Sequence, residues 1–220
     1  MLIGEGILGS SKIRFAILAS GNGSNAENIL RYTSHRPDKF QATCLISDNA
    51  SAYALQRATA LGVKAVVVSP NSAIVDKKQR KRAHELSIIE ILVNQKCDWL
   101  FLAGYMRILS GEFLSHFYDQ ALGCARVINV HPSLLPSFRG KNAYQQAYDF
   151  GVKVAGVTIH FVDEGVDSGQ IIMQRSFERE EHDTLESFIR KGLAVEHVLY
   201  LEALEKIETY RTQITSEDLK

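Results

Sequence analysis

The sequence predicts an α/β fold: a doubly wound, mostly parallel sheet with an irregular antiparallel edge. Three observations predict it. Short β-branched apolar runs alternate with longer helix-periodic segments through the first five strands, the pattern of βαβ units. The first run passes directly into Ser20-Gly21-Asn22-Gly23-Ser24-Asn25 and then a helix, the kind of turn at which such folds bind anions. The last two apolar runs, around residues 154–177, are closely spaced, which points to a partly antiparallel edge.

Each element has its own signal. Ile13–Ala19 reads as a buried strand and Ser24–Tyr32 as the helix after it. Ala42–Ser47 is a second strand, and Ala50–Leu61 a helix closed by Gly62 at a C′ position. Ala65–Val68 is a third strand, ended by Pro70. Asp76–Gln95 is a long helix with Asp76 near its positive end. Trp99–Ala103 is strand four, and Ser110 caps a short helix through His116. Arg126–His131 is strand five, followed by a helix over Asn142–Phe150 that Gly151 ends. Val154–Val162 and Gln170–Phe177 are strands. Thr184–Thr209 is a final helix, with an interruption expected at Gly192. Trp99, Phe101 and the Leu185, Phe188, Ile189 stripe read as core.

Composition narrows the function. The chain has 220 residues, 25 basic and 25 acidic. A general nucleic-acid binder shows a basic excess, so none is expected, although a local anion site stays open. The one basic cluster, Lys77 to Arg82, reads as a solvated helix start. Cys44, Cys97 and Cys124 form no C-x-x-C pair and read as reduced core residues of a cytoplasmic protein. No apolar run approaches the ~18 residues of a membrane span. The opening residues lack the cationic start of a signal peptide.

Two constellations carry chemistry. The glycine loop lets the backbone approach a ligand closely and aims helix N–H groups at it, so a phosphate is the natural guest. Gly21-x-Gly23-x-x-Ala26 also fits a dinucleotide fingerprint, with Asp48 where a ribose-binding acid would stand. A nicotinamide enzyme, a non-catalytic nucleotide module and a plain structural turn therefore stay open at this point. The second constellation is Asn129, His131 and Asp167. Strand side chains alternate, so Asn129 and His131 share a face at the carboxyl end of strand five. Asp167 lies in the glycine-flanked acidic loop 163–169. An amide stabilises an oxyanion, an imidazole moves a proton, and a carboxylate orients the imidazole. No G-x-S-x-G elbow and no H-E-x-x-H are present, so neither a serine nucleophile nor a metal is expected. A divalent cation at Asp163, Glu164 and Asp167 is the weaker reading of that loop. Direct acyl transfer to an amine fits best.

The residues also carry a resemblance. Asn129-x-His131-Pro-Ser-Leu-Leu-Pro136, Leu102-Ala-Gly-Tyr-Met-Arg-Ile-Leu-Ser110, His160-Phe-Val-Asp-Glu-Gly-Val-Asp167-Ser-Gly169 and the opening Ser-Gly-Asn-Gly-Ser-Asn stand in this order. Together they resemble the phosphoribosylglycinamide (GAR) formyltransferases of folate-dependent purine biosynthesis, over roughly residues 13–208. The resemblance implies a Rossmann-like formyltransferase fold, with residues 1–12 as an extension, 13–210 as the domain and 211–220 as a polar tail. Within that domain it implies a ribonucleotide phosphate site in the N-terminal half and the folate and catalytic sites in the C-terminal half. It implies formyl transfer from 10-formyltetrahydrofolate, a co-substrate, to the amine of glycinamide ribonucleotide, without a metal. Gly23, Ser24 and Asn25 would hold the phosphoribosyl end and Glu196 the ribose. Asn129 would bind the formyl oxygen, His131 would donate the proton, and Asp167 would favour the charged imidazole. Lys81, Met106, Arg107, Ile108, Leu109 and Glu164, with Asn129, would bind the folate.

Four positions depart from the family pattern: Arg139, Gln170, Leu201, and Lys81 where an arginine is usual. Among relatives, a formyltetrahydrofolate deformylase would need an extra N-terminal domain and a methionyl-tRNA formyltransferase an extra C-terminal one. The length favours the small-molecule transferase. The expected partners are small molecules, with neither nucleic acid nor membrane, and the protein is expected as a monomer or homodimer.

Overall fold

The computed structural model describes residues 12–217, which divide into two compact units at Val127 and Ile128. Residues 1–11 of the expected extension and 218–220 of the expected tail lie outside the described residues. In the first unit, β1 (Ile13–Leu18), α1 (Ser24–Ser34), β2 (Phe40–Ser47), α2 (Tyr53–Ala60), β3 (Ala65–Val67), α3 (Lys77–Asn94) and β4 (Trp99–Leu102) follow one another. The strands stand in the order β3-β2-β1-β4, all parallel. After them come α4 (Gly111–Ser115) and a small hairpin of two-residue strands that the sequence did not signal, β5 (Tyr118–Asp119) and β6 (Cys124–Ala125).

Strand β1 is buried at every position except Arg14, as expected of a parallel strand covered on both faces. Phe15 stacks on Phe101 with ring centroids 4.7 Å apart. Arg14 turns outward and donates to the Lys96 and Gln95 carbonyls at 2.8 Å each. It thereby satisfies acceptors just past the end of α3. The caps fall where the side-chain chemistry puts them. Asp76 accepts from the Gln79 N–H at 2.7 Å, and Ser110 from the Phe113 N–H at 3.1 Å. Helix α2 starts three residues later than predicted. Asn49 folds residues 49–52 into a turn, its Oδ1 accepting from the Ser51 N–H and its carbonyl from the Ala52 N–H. Cys44 and Cys97 are buried free thiols. Cys124 corrects the core reading: it is half-buried on the small hairpin, and burial pushes its thiol up to about 11.

The second unit holds β7 (Val127–His131) from its second residue, α5 (Ala143–Phe150), β8 (Val154–Phe161), β9 (Ile171–Glu178) and α6 (Leu185–Glu217). Its strands run β7-β8-β9, antiparallel throughout. Helix α6 packs on β8 and β9, and α5 against α6. Their shared core gathers Tyr144, Ala147, Ala155 and Phe188. The α/β class with a parallel run and an antiparallel edge is the one predicted, with the antiparallel pairing starting one strand earlier, at β7.

Two expectations about the last helix are corrected. Gly192 does not interrupt it. A Cβ there would stand 2.3 Å from the Tyr144 ring and hydroxyl, so the glycine admits a close neighbour rather than a break. The helix also continues to Glu217, beyond the predicted end at Thr209 and into the stretch read as a polar tail. No helix among the described residues is long and apolar enough to cross a membrane.

Candidate active site

The first unit builds the glycine loop. Gly23 stands at the N-cap of α1 with φ +77°, a left-handed conformation that glycine adopts without the strain a Cβ brings. A Cβ there would also lie 2.5 Å from the Ala54 Cβ. The first-turn N–H groups of α1 have no intrahelical acceptors, and Gly23 has no side chain to cap them. Asn25 is buried and Ser24 half-buried beside it. Gly23→Ala is expected to lose about 1–3 kcal/mol of stability and to weaken phosphate binding, as read by chemical denaturation and by titration with inorganic phosphate.

The segment 106–110 lies in the same unit. The Met106 N–H donates to Ser20 Oγ at 3.0 Å, joining this segment to the start of the glycine loop. Met106 and Ile108 expose their apolar side chains, while Leu109 is buried. Arg107 is not an available cation: its Nε meets Asp48 Oδ2 at 2.6 Å. That pairing commits Asp48, the residue on which the nicotinamide reading leaned. At the other end Glu85, buried on α3, accepts from the Ser110 N–H at 2.9 Å and from its hydroxyl at 2.5 Å. Lys81 lies on the same helix with its ammonium 3.8 Å from Glu85. Arg82 pairs with Glu112. Sequence reasoning missed Glu85, which carries no motif signal and is marked only by its burial on α3.

The second unit brings Asn129, His131 and Asp167 together. Strand pairing sets Asn129 opposite His160 and His131 opposite Thr158. His131 is buried, with Nδ1 3.2 Å from Asp167 Oδ2 and Nε2 2.8 Å from the Phe138 carbonyl. Both ring nitrogens thus face acceptors, which a doubly protonated imidazolium satisfies in full. Asp167 Oδ2 also accepts from the Gly140 N–H at 2.7 Å. Its Oδ1 stands 3.7 Å from His160 Nε2. His160 donates its Nδ1–H to the Phe161 carbonyl at 2.7 Å, so its Nε2 accepts from the Asn129 amide at 3.3 Å. Burial pushes His160 below its ordinary value, which keeps that lone pair available.

Three non-glycine residues of this group hold left-handed backbone: Phe138, Asn142 and Asp167, at φ +51°, +58° and +49°. Asn and Asp tolerate this region, whereas Phe does not. The Phe138 ring packs edge-on against Phe150, centroids 5.8 Å apart, while its carbonyl is delivered to His131. The Pro132–Pro136 segment is held by the buried Thr158. Its hydroxyl donates to the Ser133 carbonyl at 2.6 Å and accepts from the Leu135 N–H and the Gln174 amide. Thr158 and Gln174 carried no motif signal, because their role exists only across strand pairs.

Glu196 is buried on α6 and accepts from the Tyr144 hydroxyl at 2.5 Å. Glu164 lies exposed in the acidic loop, which Asp163 organises by accepting from the Gly165 N–H and the Ser168 hydroxyl. Among the described residues, no group of three or more His, Cys, Asp or Glu gathers as a metal set.

Burial holds His84, His160 and His197 below the ordinary histidine value of 6.5. Between the lowered folded values and 6.5 the unfolded chain binds more protons, so stability falls as pH drops through that window. A second loss follows in stronger acid. Lys191 holds Asp183 down at about 2, and Arg82 lowers Glu112, against unfolded values of 3.8 and 4.5. The unfolding midpoint, followed from neutral pH downward, is expected to drop in these two stages.

With this geometry established, comparison with known proteins is direct. The formyl transferase family model matches residues 13–204. A phosphoribosylglycinamide formyltransferase of Bacillus subtilis is 40% identical over 194 residues, covering 88% of this chain and 94% of that protein. A human trifunctional purine biosynthetic protein is 35% identical, over 92% of this chain but only 19% of its own length. The crystal structure of glycinamide ribonucleotide transformylase 1 from Symbiobacterium toebii superposes with a TM-score of 0.82 at 39% identity, covering 92% of this chain and 90% of that one. A match to nearly the whole fold and nearly the whole length of single-activity relatives leaves one conclusion: the chain belongs to the formyl transferase family, among its phosphoribosylglycinamide formyltransferases.

Proposed function

We propose that the protein transfers the formyl group of 10-formyltetrahydrofolate to the amine of 5-phosphoribosylglycinamide, as a soluble cytoplasmic enzyme acting on small molecules. The observation that carries this reading is the Asn129–His131–Asp167 group, in which His131 has an acceptor on each ring nitrogen and Asn129 is oriented by His160. The substrate amine attacks the formyl carbon, and the C–O π pair moves onto oxygen. One Asn129 N–H is held by His160, and the other is left for that oxyanion. His131 turns its Nε2–H from the Phe138 carbonyl to the same oxygen. Collapse of the adduct breaks the bond to the folate nitrogen, which takes the proton released by the amine, relayed by water beside Asp167. Gly23, Ser24 and Asn25 receive the substrate phosphate, and Glu196 receives its ribose. Met106, Arg107, Ile108, Leu109, Lys81 and Glu164 serve the folate, with Met106 and Ile108 offering apolar surface to its ring.

The test mixes purified protein with 10-formyltetrahydrofolate, with and without glycinamide ribonucleotide, and follows deformylated folate by absorbance. Release that requires the ribonucleotide supports the reading. Release without it makes the protein a hydrolase. No release, with nicotinamide cofactor bound instead, makes it an oxidoreductase.

A further inference from the structure

We infer that Arg57 is the positioning residue that shapes the glycine loop for a phosphate monoester, a role resting on the reading of that loop as the substrate's phosphate site. Helix α2 is the platform under the loop. The Ala54 N–H donates to the Gly21 carbonyl at 3.1 Å, and Ala54 occupies the space that a side chain at residue 23 would need. One turn further on, Arg57 uses all three guanidinium nitrogens on the loop and its helix. Nε donates to the Asn22 carbonyl at 3.0 Å, Nη2 to the Asn22 side-chain oxygen at 3.1 Å, and Nη1 pairs with Glu27. The Tyr53 ring lies under the guanidinium at 4.7 Å.

Two consequences follow from that fork. First, the Asn22 peptide is held from its carbonyl side, which fixes the orientation of the Gly23 N–H that follows it. A rigid planar donor set does this, and a single ammonium cannot. Second, Glu27 stands in the first turn of α1, where its charge suits the helix dipole but opposes an incoming dianion. Arg57 neutralises it from one side, and Arg31 from the other at 2.7 Å. Arg57 thus acts on the phosphate through Asn22 and Glu27.

The test compares wild type with Arg57→Met, Arg57→Lys and Glu27→Gln. Two readouts are used: steady-state kinetics against each substrate, and calorimetric titration with ribose 5-phosphate. Arg57→Met is expected to raise KM for the ribonucleotide roughly 10- to 100-fold, the range of a lost charged hydrogen-bond set. Its kcat and its KM for the formyl donor are expected to stay within about threefold. Ribose 5-phosphate binding is expected to weaken in parallel, and lysine to restore little of either. Glu27→Gln keeps the Asn22 contacts and is expected to bind ribose 5-phosphate at least as well as wild type. Unchanged ribonucleotide KM in Arg57→Met overturns the inference, as does full rescue by lysine or an equal loss for both substrates. If Arg57→Met does not fold, weakened binding in Glu27→Gln overturns it instead. If wild type binds ribose 5-phosphate but turns nothing over, the proposed reaction fails while the role of Arg57 is still decided by titration. If wild type does not bind it, both fail.

Discussion

Replacing Asn129 with alanine is expected to lower kcat by roughly 10²- to 10³-fold, the effect of removing one oxyanion donor, with KM for either substrate little changed. The reason is geometric. Asn129 is half-buried on β7, and its amide is locked by His160 Nε2 at 3.3 Å. The amide carries two N–H groups, so anchoring one aims the other without further ordering when the oxyanion forms. Alanine removes that donor and also strands the buried His160 lone pair. Asn129→Asp separates shape from charge: it fills the same space yet sets a carboxylate beside the developing negative charge. It is expected to be at least as damaging as alanine. Steady-state kinetics of the two variants check this, and near-normal turnover in Asn129→Ala would remove the residue from the mechanism.

Asp167→Asn is expected to lower kcat by roughly 10²- to 10⁴-fold, the usual range for disabling an acid–base partner. Asparagine is the informative replacement because the residue holds φ +49°, which Asn tolerates and most residues do not. The backbone is therefore kept while the charge is removed. In the wild-type protein Oδ2 accepts from both His131 Nδ1 and the Gly140 N–H. A carboxamide can keep its single oxygen on these two donors and turn its N–H₂ toward the His160 Nε2 lone pair, so the contacts survive while the charge is lost. The unfolding midpoint of the variant is expected to stay close to wild type while turnover collapses. A variant that loses stability and activity together would instead mark Asp167 as a structural residue.

Much of the site was legible because local rules determine it. Asn129 and His131 share a face through the period of a strand, and Gly23 signals a left-handed turn that most side chains resist. Asp76 and Ser110 cap helices through bonds that span three residues. Other parts were illegible because their meaning lies in another segment. Gly192 reads as a helix breaker until Tyr144 is found against it. Asp48 reads as a ribose-binding acid until Arg107 is found on its Oδ2. Phe138 has no polar side chain to attract notice, yet its carbonyl meets the His131 imidazole.

By itself, the sequence determined the order of the strands and helices of the main sheet, the location of the glycine loop, and the chemical types at the Asn129–His131–Asp167 group. These follow from periodicity, capping and turn geometry, which act over a few residues. Only the tertiary structure decided which acid answers which base. The resemblance implies Asp167 beside His131, but His160 orients Asn129 across a strand pair, Asp48 holds Arg107, and Arg57 grips Asn22. Hydrogen bonds and ion pairs act over about 3–4 Å, and chain separation says little about which groups will stand that close.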